Sequence, residues 1–290
     1  MTISASQART TGKWKYPERR QNQIQSAAGR NFRGNSLVEA ELIAISVVSH
    51  GQGELVQRLL DDIRIHCAST PLYVLLTLNI EECLPFDIAN FPYEIRIIRN
   101  QERRGFAANH NAAFALARGE HFCVVNPDIR LSGDPFPALV SGLVDQSIGV
   151  VGPIVIGPGG TIENSARRFP TPLSIARKVF CGKQGSEYVI GQTPFYPDWI
   201  AGMFMLWRAE TFRKIGGFDE KFFLYYEDVD ICARLHRAGF HAALIPAARV
   251  THHARWTSHR SLRYLRWHLA SMFRYFWKQI VAQRNVGLKC

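Results

Sequence analysis

The sequence has 290 residues, 47% of them hydrophobic and 11% aromatic, enough to bury one sizeable core. Its formal charge of +11 sits at the ends: residues 1–40 carry seven Lys/Arg against two Asp/Glu, residues 250–290 eight against none, and residues 41–249 hold 20 against 22. The near-neutral middle excludes a basic nucleic-acid groove in the core, the scattered cysteines (67, 83, 123, 181, 232, 290) exclude a disulfide framework or zinc module, and no apolar run approaches the roughly 18 residues of a spanning helix.

In chain order, residues 1–40 are rich in Gln, Arg, Ser and Asn without an apolar period, which predicts a basic, flexible or loosely docked arm. Its basic residues have no apolar signal core behind them, so the expectation is a cytoplasmic protein. Residues 41–253 read as one α/β domain. An apolar strand over Leu42–Ser49 ends at His50-Gly51 and is followed by a helix (Glu54–Ile65) and strands at Tyr73–Leu78 and Ile95–Ile98. Strands alternating with helices imply a mostly parallel sheet covered on both faces, with ligands beyond the carboxyl ends of the strands, where His50, Thr77, Asn100 and Asp128 are expected to emerge. Gly105-Phe106 marks a turn before an Ala-rich helix. A further apolar strand then stops at Asn126-Pro127-Asp128, because Pro127 removes a ladder donor, and Asp128 is presented at the sheet edge. That turn is either structural or a holder of metal or phosphate.

Between Val150 and Pro197 the pattern loosens, as in an active-site flap or acceptor segment; Arg167-Arg168 is either a diphosphate or acceptor contact or a solvated charge pair. Residues Gly217–Phe240 bring Asp219, Glu227, Asp228 and Asp230 around an aromatic run and into a helix. Its inward stripe is Val229, Cys232 and Leu235, and it stops at Gly239. Glu227 and Asp228 fall in the first turn, where backbone N–H groups and the helix dipole favour an ionised carboxylate. They are either caps or a general base. His252-His253 follows a strand-like Ala243–Val250. In the tail, 254–290, Leu262, Leu265, Leu269, Met272, Phe273, Phe276 and Ile280 share one helical face and Arg260, Arg263, Trp267, Arg274 and Lys278 lie largely opposite. This basic amphipathic helix fits an anionic membrane surface, or packs its stripe on its own domain.

The series GFAANHNAA, NPD and WIAGMFMLWRAETFRKIGGFDEKFFLYYEDVDICARLHRAGF resembles family 2 of the inverting glycosyltransferases with the GT-A fold, especially its rhamnosyltransferase-like members, over roughly Leu42–His253. The resemblance implies a Rossmann-like sheet and a nucleotide-diphosphate sugar as donor, with dTDP-rhamnose as the suggested sugar nucleotide. The implied acceptor is a growing surface polysaccharide or lipid-linked glycan; the basic tail helix, not the resemblance, adds the expectation of a peripheral place at the inner face of the membrane. It maps the catalytic acids onto Asp228 and Glu227. It also maps the metal motif onto Asn126 and Asp128 and the loop under donor and acceptor onto Trp199–Met203. Together with the sheet-edge and flap readings, the expected donor site is His50, Thr77, Asn79, Asn100, Gly105, Asn109, Asn126 and Asp128, and the expected acceptor side Trp199, Gly202, Met203 and Arg168. Mg²⁺ or Mn²⁺ would be held by Asp128 with His252 or His253. Two departures stand out: the family's Asp-any-Asp begins here with Asn126, and its nucleobase-contacting aspartate has no acidic counterpart in Thr77-Leu78-Asn79. Two other classes stay open, a sugar nucleotidyltransferase, whose glycine- and lysine-rich phosphate signature is missing, and a noncatalytic glycan- or membrane-binding protein. The sequence leaves the oligomeric state open.

Overall fold

The structure, a computed structural model, describes residues 24–26, 41–182, 187–253 and 262–287. The predicted elements form within a few residues of their expected bounds. Strand β3 (Leu72–Leu78) is a continuous run of buried residues, and β2 (Ile43–Ser49) is buried throughout except at half-buried Val48, as strands covered on both faces must be. They pair in parallel, β3 pairs in parallel with β4 (Ile95–Arg99), and β2 pairs in parallel with β5 (His121–Val125) on its other side. Beyond β5 come β10 (Phe204–Arg208), β7 (Ile148–Ile156), β11 (His241–His252) and β6 (Ile129–Arg130); at the opposite edge Ile24–Ser26, as β1, pairs antiparallel with β4. Six strands run one way, and β1, β6 and β10 are reversed. β8 (Ala166–Arg167) and β9 (Trp199–Ile200) form a separate small ribbon.

Helices cover both faces. On one side α1 (Gly53–His66) and α3 (Phe136–Gly142) bury Val56, Leu59, Leu60, Ile63, Phe136 and Leu139 against the sheet. On the other, α2 (Phe106–Phe114), α5 (Ala209–Lys214) and α6 (Glu227–Arg237) bury Ala107, Phe212, Val229, Ile231, Cys232 and Leu235. The flap contains α4 (Pro172–Cys181), started by a Thr171–Ser174 capping box. No helix among the described residues is long and apolar enough to cross a membrane. Apart from Ile24–Ser26, the arm expected to be flexible lies outside the described residues.

The tail helix, α7 (Leu262–Gly287), forms as expected but is rotated relative to the packed-stripe alternative. Leu262, Leu265, Leu269, Phe273 and Ile280 are exposed, Phe273 at 68%, while Met272 and Phe276 of the same stripe are half-buried, Phe276 against the core. The face turned to the domain carries Trp267, Ser271, Tyr275 and Lys278, spaced four, four and three apart. Tyr275 is buried, and Lys278 lies 2.6 Å from Asp230 and 2.7 Å from Asp219. Asp230 is wholly buried and its Oδ2 is already paired with Arg234 (2.8 Å); Lys278 supplies the partner of the other oxygen, Oδ1, and with buried Tyr275 fixes which face of the helix turns inward.

Candidate active site

The carboxyl edge of the sheet gathers the functional candidates. Beyond β3, β4 and the turn into α2, Asn79, Asn100 and Asn109 bind one another and the loop between them. Asn100 Nδ2 donates to Asn79 Oδ1 (2.9 Å) and to Asn109 Oδ1 (2.7 Å), while Asn79 exchanges bonds with Arg104 N and O, 2.8 Å each. His50 Nδ1 stands 3.2 Å from Asn79 Nδ2. Much of these amides' bonding is therefore spent on holding residues 100–105, beside a cleft of about 520 Å³ lined in part by Asn79, Asn100, Arg99 and Arg103. Thr77 does not emerge at this edge: β3 continues to Leu78 and leaves Thr77 fully buried. Gly105 is required by close approach, because a Cβ there would lie 2.5 Å from Phe223 O, and Phe106 N donates to the same carbonyl (2.9 Å).

Reversed strand β10 carries the second part of the site. Phe204 pairs with Val125, so Met203 O accepts from Asn126 N (2.9 Å) directly at the Asn126-Pro127-Asp128 turn. One residue earlier, Gly202 N donates to Asp228 Oδ2 (3.1 Å), and a side chain at Gly202 would meet the Phe106 ring at 3.2 Å. Trp199 Nε1 donates to Arg168 O (2.9 Å), and the Arg167 guanidinium lies 5.2 Å from the Trp199 ring centre. The Trp199–Met203 stretch and Arg168 thus lie together, with the base candidate on one side and the metal candidate on the other.

At the third part, β6 pairs His252 with Ile129. The His252 imidazole sits between two carboxylates, with Nε2 3.4 Å from Asp128 Oδ2 and Nδ1 2.9 Å from Glu163 Oε2. These acids outweigh its burial and raise its pKa to about 9. Glu163, absent from the sequence reading, lies on the hairpin that extends β7, where its N donates to Val155 O. Only pairing 89 residues apart brings it to His252, so no local signal marks it. His253 is exposed and gives its backbone N–H to Asp128 O (2.9 Å). Among the described residues no ready-made cluster of three or more metal-ligating side chains stands around a cation position. Asp128 Oδ1, however, is buried without a hydrogen-bond partner, and hard oxygens beside an imidazole fit Mg²⁺ or Mn²⁺ once the imidazole is neutral. Because the folded pKa of His252 lies above 6.5, its stabilisation is complete below that pH and is lost as pH rises through about 9. In metal-free buffer the melting temperatures of the native protein and His252→Gln should therefore differ most near pH 6 and converge by pH 10.

The paired acids open α6. Tyr225 and Tyr226 both have left-handed backbone (φ 69° and 66°), a strain of about 1–3 kcal/mol each that persists only where the surroundings enforce it. This turn delivers Glu227 to a buried position, where Oε2 has no partner. Burial first, and the charge of Asp228 second, push its pKa well above the ordinary range, so desolvation overrides the helix dipole that was expected to keep it ionised. Asp228 is also raised by burial, but it is only partly covered. It accepts from Gly202 N and from Val229 N (2.8 Å), and Arg167 favours its charged form. Burial and the neighbouring charge thus favour the proton on Glu227, while two backbone N–H bonds and Arg167 favour the charged form of Asp228. An ionised, hydrogen-bonded carboxylate beside a neutral one can accept a proton from a hydroxyl.

Residues 40–270 match the family described as Glycosyltransferase like family 2. Rhamnosyltransferase WbbL of Escherichia coli (strain K12) is 26% identical over 259 residues, 84% of this chain and 96% of that protein. N-acetylglucosaminyl-diphospho-decaprenol L-rhamnosyltransferase of Mycobacterium tuberculosis (strain H37Rv) is 30% identical over 155 residues, 45% of this chain and 46% of that one. Among solved structures, GalNAc-T7 with UDP, GalNAc and Mn²⁺ superposes with a TM-score of 0.57 at 15% identity, covering 75% of this chain and 45% of that one. The mannosyltransferase PcManGT from Pyrobaculum calidifontis, with GDP-Man and Mn²⁺, gives 0.54 at 16% identity, covering 82% and 64%. These likenesses establish the GT-A fold, and the family match spans most of the chain. With its acids at the carboxyl edge of that fold, the chain belongs to glycosyltransferase family 2 and is a rhamnosyltransferase-like enzyme.

Proposed function

We propose that the enzyme transfers rhamnose, from dTDP-rhamnose, to a hydroxyl of a lipid-linked or polysaccharide acceptor with inversion at the anomeric carbon. The observation that carries the chemistry is the pair's geometry: Asp228 is only partly covered and accepts from Gly202 N and Val229 N, whereas Glu227 is buried with Oε2 unpartnered. Asp228 takes the acceptor proton as that oxygen attacks the anomeric carbon from the face opposite the diphosphate. The bond to the leaving oxygen breaks ahead, so the sugar becomes oxocarbenium-like and the proton ends on Asp228. Asp128 and His252, with the Asn126 amide, would hold a divalent cation, which when bound offsets charge on the departing diphosphate. The rhamnose assignment rests on the printed activities of two relatives, and the nucleotide on the resemblance.

The lipid-linked acceptor fits the exposed apolar and basic face of α7, which we read as a peripheral contact with anionic lipid at the cytoplasmic face of the membrane. Thermal shift against nucleotide sugars with Mn²⁺ tests the donor, since a specific ligand raises the melting temperature by mass action. With acceptor present, nucleoside diphosphate release is the expected product. Pyrophosphate release would instead indicate a nucleotidyltransferase, and no release a noncatalytic binder. Asp128→Ala should weaken metal-dependent donor binding by about tenfold or more, whereas Asn126→Asp should preserve or strengthen it by adding a hard oxygen. Full turnover in the presence of chelator would remove the cation from this scheme.

A further inference from the structure

The aromatic run ahead of the acids is gripped residue by residue from one side. Lys278 Nζ lies 5.3 Å from the centre of the Phe222 ring. Trp267 lies against Phe223 (4.8 Å between centres), and Ser271 Oγ donates to Leu224 O (2.9 Å). His268 touches the rings of both Tyr225 and Tyr226 (5.4 Å each), and Tyr275 touches Tyr226 (5.6 Å). Every one of these partners comes from α7. The gripped segment includes the two left-handed tyrosines, and it ends where Glu227 and Asp228 begin. Lys278 also ties α7 to Asp230, one turn into the helix that carries the acids, and to Asp219, on the near side of the loop. A strained turn keeps its shape only while its surroundings over-determine it, and here α7 supplies most of the contacts on one side.

We propose that α7 is a positioning element of the reaction centre: through Lys278 and His268 it holds the Phe222–Tyr226 turn and thereby sets where Asp228 stands. Neither residue touches the reacting atoms in this scheme; both act through the turn. The inference rests on Asp228 as the base for its catalytic consequence, but the mechanical claim can be read without substrate. It also gives the inner face of α7 a use separate from the lipid contact of its outer face.

The full-length protein, Lys278→Met, Lys278→Arg and His268→Ala are compared by amide hydrogen exchange and by kinetics with dTDP-rhamnose. Local opening should make the amides of residues 222–230 exchange at least about tenfold faster in Lys278→Met and His268→Ala, while those of β2 and β3 stay as in the native protein. In the same variants kcat should fall about tenfold or more with the donor KM within about twofold, and Lys278→Arg should recover most of it. Loosening the turn also admits water to Asp228. Since burial is the largest cause of its raised pKa, with Arg167 the charged neighbour and Glu227, Tyr226 and Cys232 the titratable groups beside it, the acid limb of the rate profile should move to lower pH. Unchanged exchange at 222–230 in both Lys278→Met and His268→Ala overturns the proposal. So does exchange that rises equally throughout the sheet, because α7 would then be supporting the fold at large. Should Lys278→Met fail to fold, His268→Ala carries the same expectation with the ion pairs intact. If the native protein does not turn over dTDP-rhamnose, the proposed donor fails, and the exchange result still decides the claim about α7.

Discussion

Asp228→Asn is expected to lower turnover at least about 100-fold while donor binding stays within about twofold. The amide keeps the shape but has a single acceptor oxygen, so it retains the bond from Gly202 N or the bond from Val229 N and not both; the loss reports the proton-accepting charge together with one backbone bond. Glu227→Gln is expected to behave in the opposite way. Burial and the charge of Asp228 raise the pKa of Glu227 well above the ordinary range, so a neutral amide replaces a group biased towards its neutral form and turnover should stay within about tenfold. The stability effect follows from the same shift. An unfolded Glu ionises above about 4.5, whereas the buried Glu227 retains its proton, so the native state loses stability as pH rises from 4.5 towards the raised folded value. Gln removes that loss, and the variant should melt higher than the native protein at pH 7 but not at pH 4. Rates and melting curves for the two variants on one preparation check both statements. A large rate loss in Glu227→Gln with near-native Asp228→Asn would transfer the base to Glu227.

What the sequence reveals of this site divides by the range of the interactions. Local ones are legible. Pro127 ends a strand, so Asp128 is found in the turn where the chain says it must be, and the Val229, Cys232 and Leu235 stripe orients α6 and puts the acids in its first turn. The buried runs of β2 and β3 announce a sheet covered on both faces. Long-range pairings are not legible. FMLWR reads as an apolar run whether it lies parallel or reversed, yet only its reversal as β10 sets Met203 against Asn126 and Gly202 against Asp228. Glu163 reaches His252 through a hairpin without a distinctive motif. The ionisation of Glu227 fails for a third reason. The helix dipole acts within the first turn and is visible in sequence, but the burial that outweighs it is fixed by the tertiary packing of the turn.

The tail shows the same limit on helix periodicity. Its Leu/Phe stripe and its aromatic-and-lysine face are both capable of burial, and hydropathy alone favours the first. The buried Asp230 and the Tyr225–Tyr226 turn complement the second. The chain thus leaves Leu262, Leu265, Leu269, Phe273, Trp277 and Ile280 facing outward, on a helix segment that contains arginines but no acidic residue. Two consequences that truncation would mix can therefore be separated by point substitutions: the inner face bears on the turn and on stability, the outer face on association.

Leu265→Ser with Phe273→Ser is expected to weaken binding to vesicles containing anionic lipid by at least about 100-fold. Each side chain contributes about 1.5–3 kcal/mol when buried in the interface, and a factor of ten corresponds to about 1.4 kcal/mol. Both positions are exposed, at 53% and 68%, so the melting temperature should stay near native, surface changes being usually within about 0.5 kcal/mol. The charge contribution is separable. Exposed Arg263, Arg266 and Arg274 add about 1 kcal/mol each near an anionic surface, and this part should fade with added salt because screening acts over about 10 Å at 0.1 M. The native protein should accordingly float with anionic vesicles at low salt, less at high salt, and only weakly with neutral ones, while the double variant should lose most flotation under all three conditions. Tyr275→Ala is the contrasting case: it empties a buried inner-face position, and should lower the melting temperature while leaving the outward Leu/Phe face available to lipid. If the Leu265/Phe273 variant floats as well as the native protein, the lipid contact lies elsewhere, and the basic residues of 1–40 are the next surface to remove.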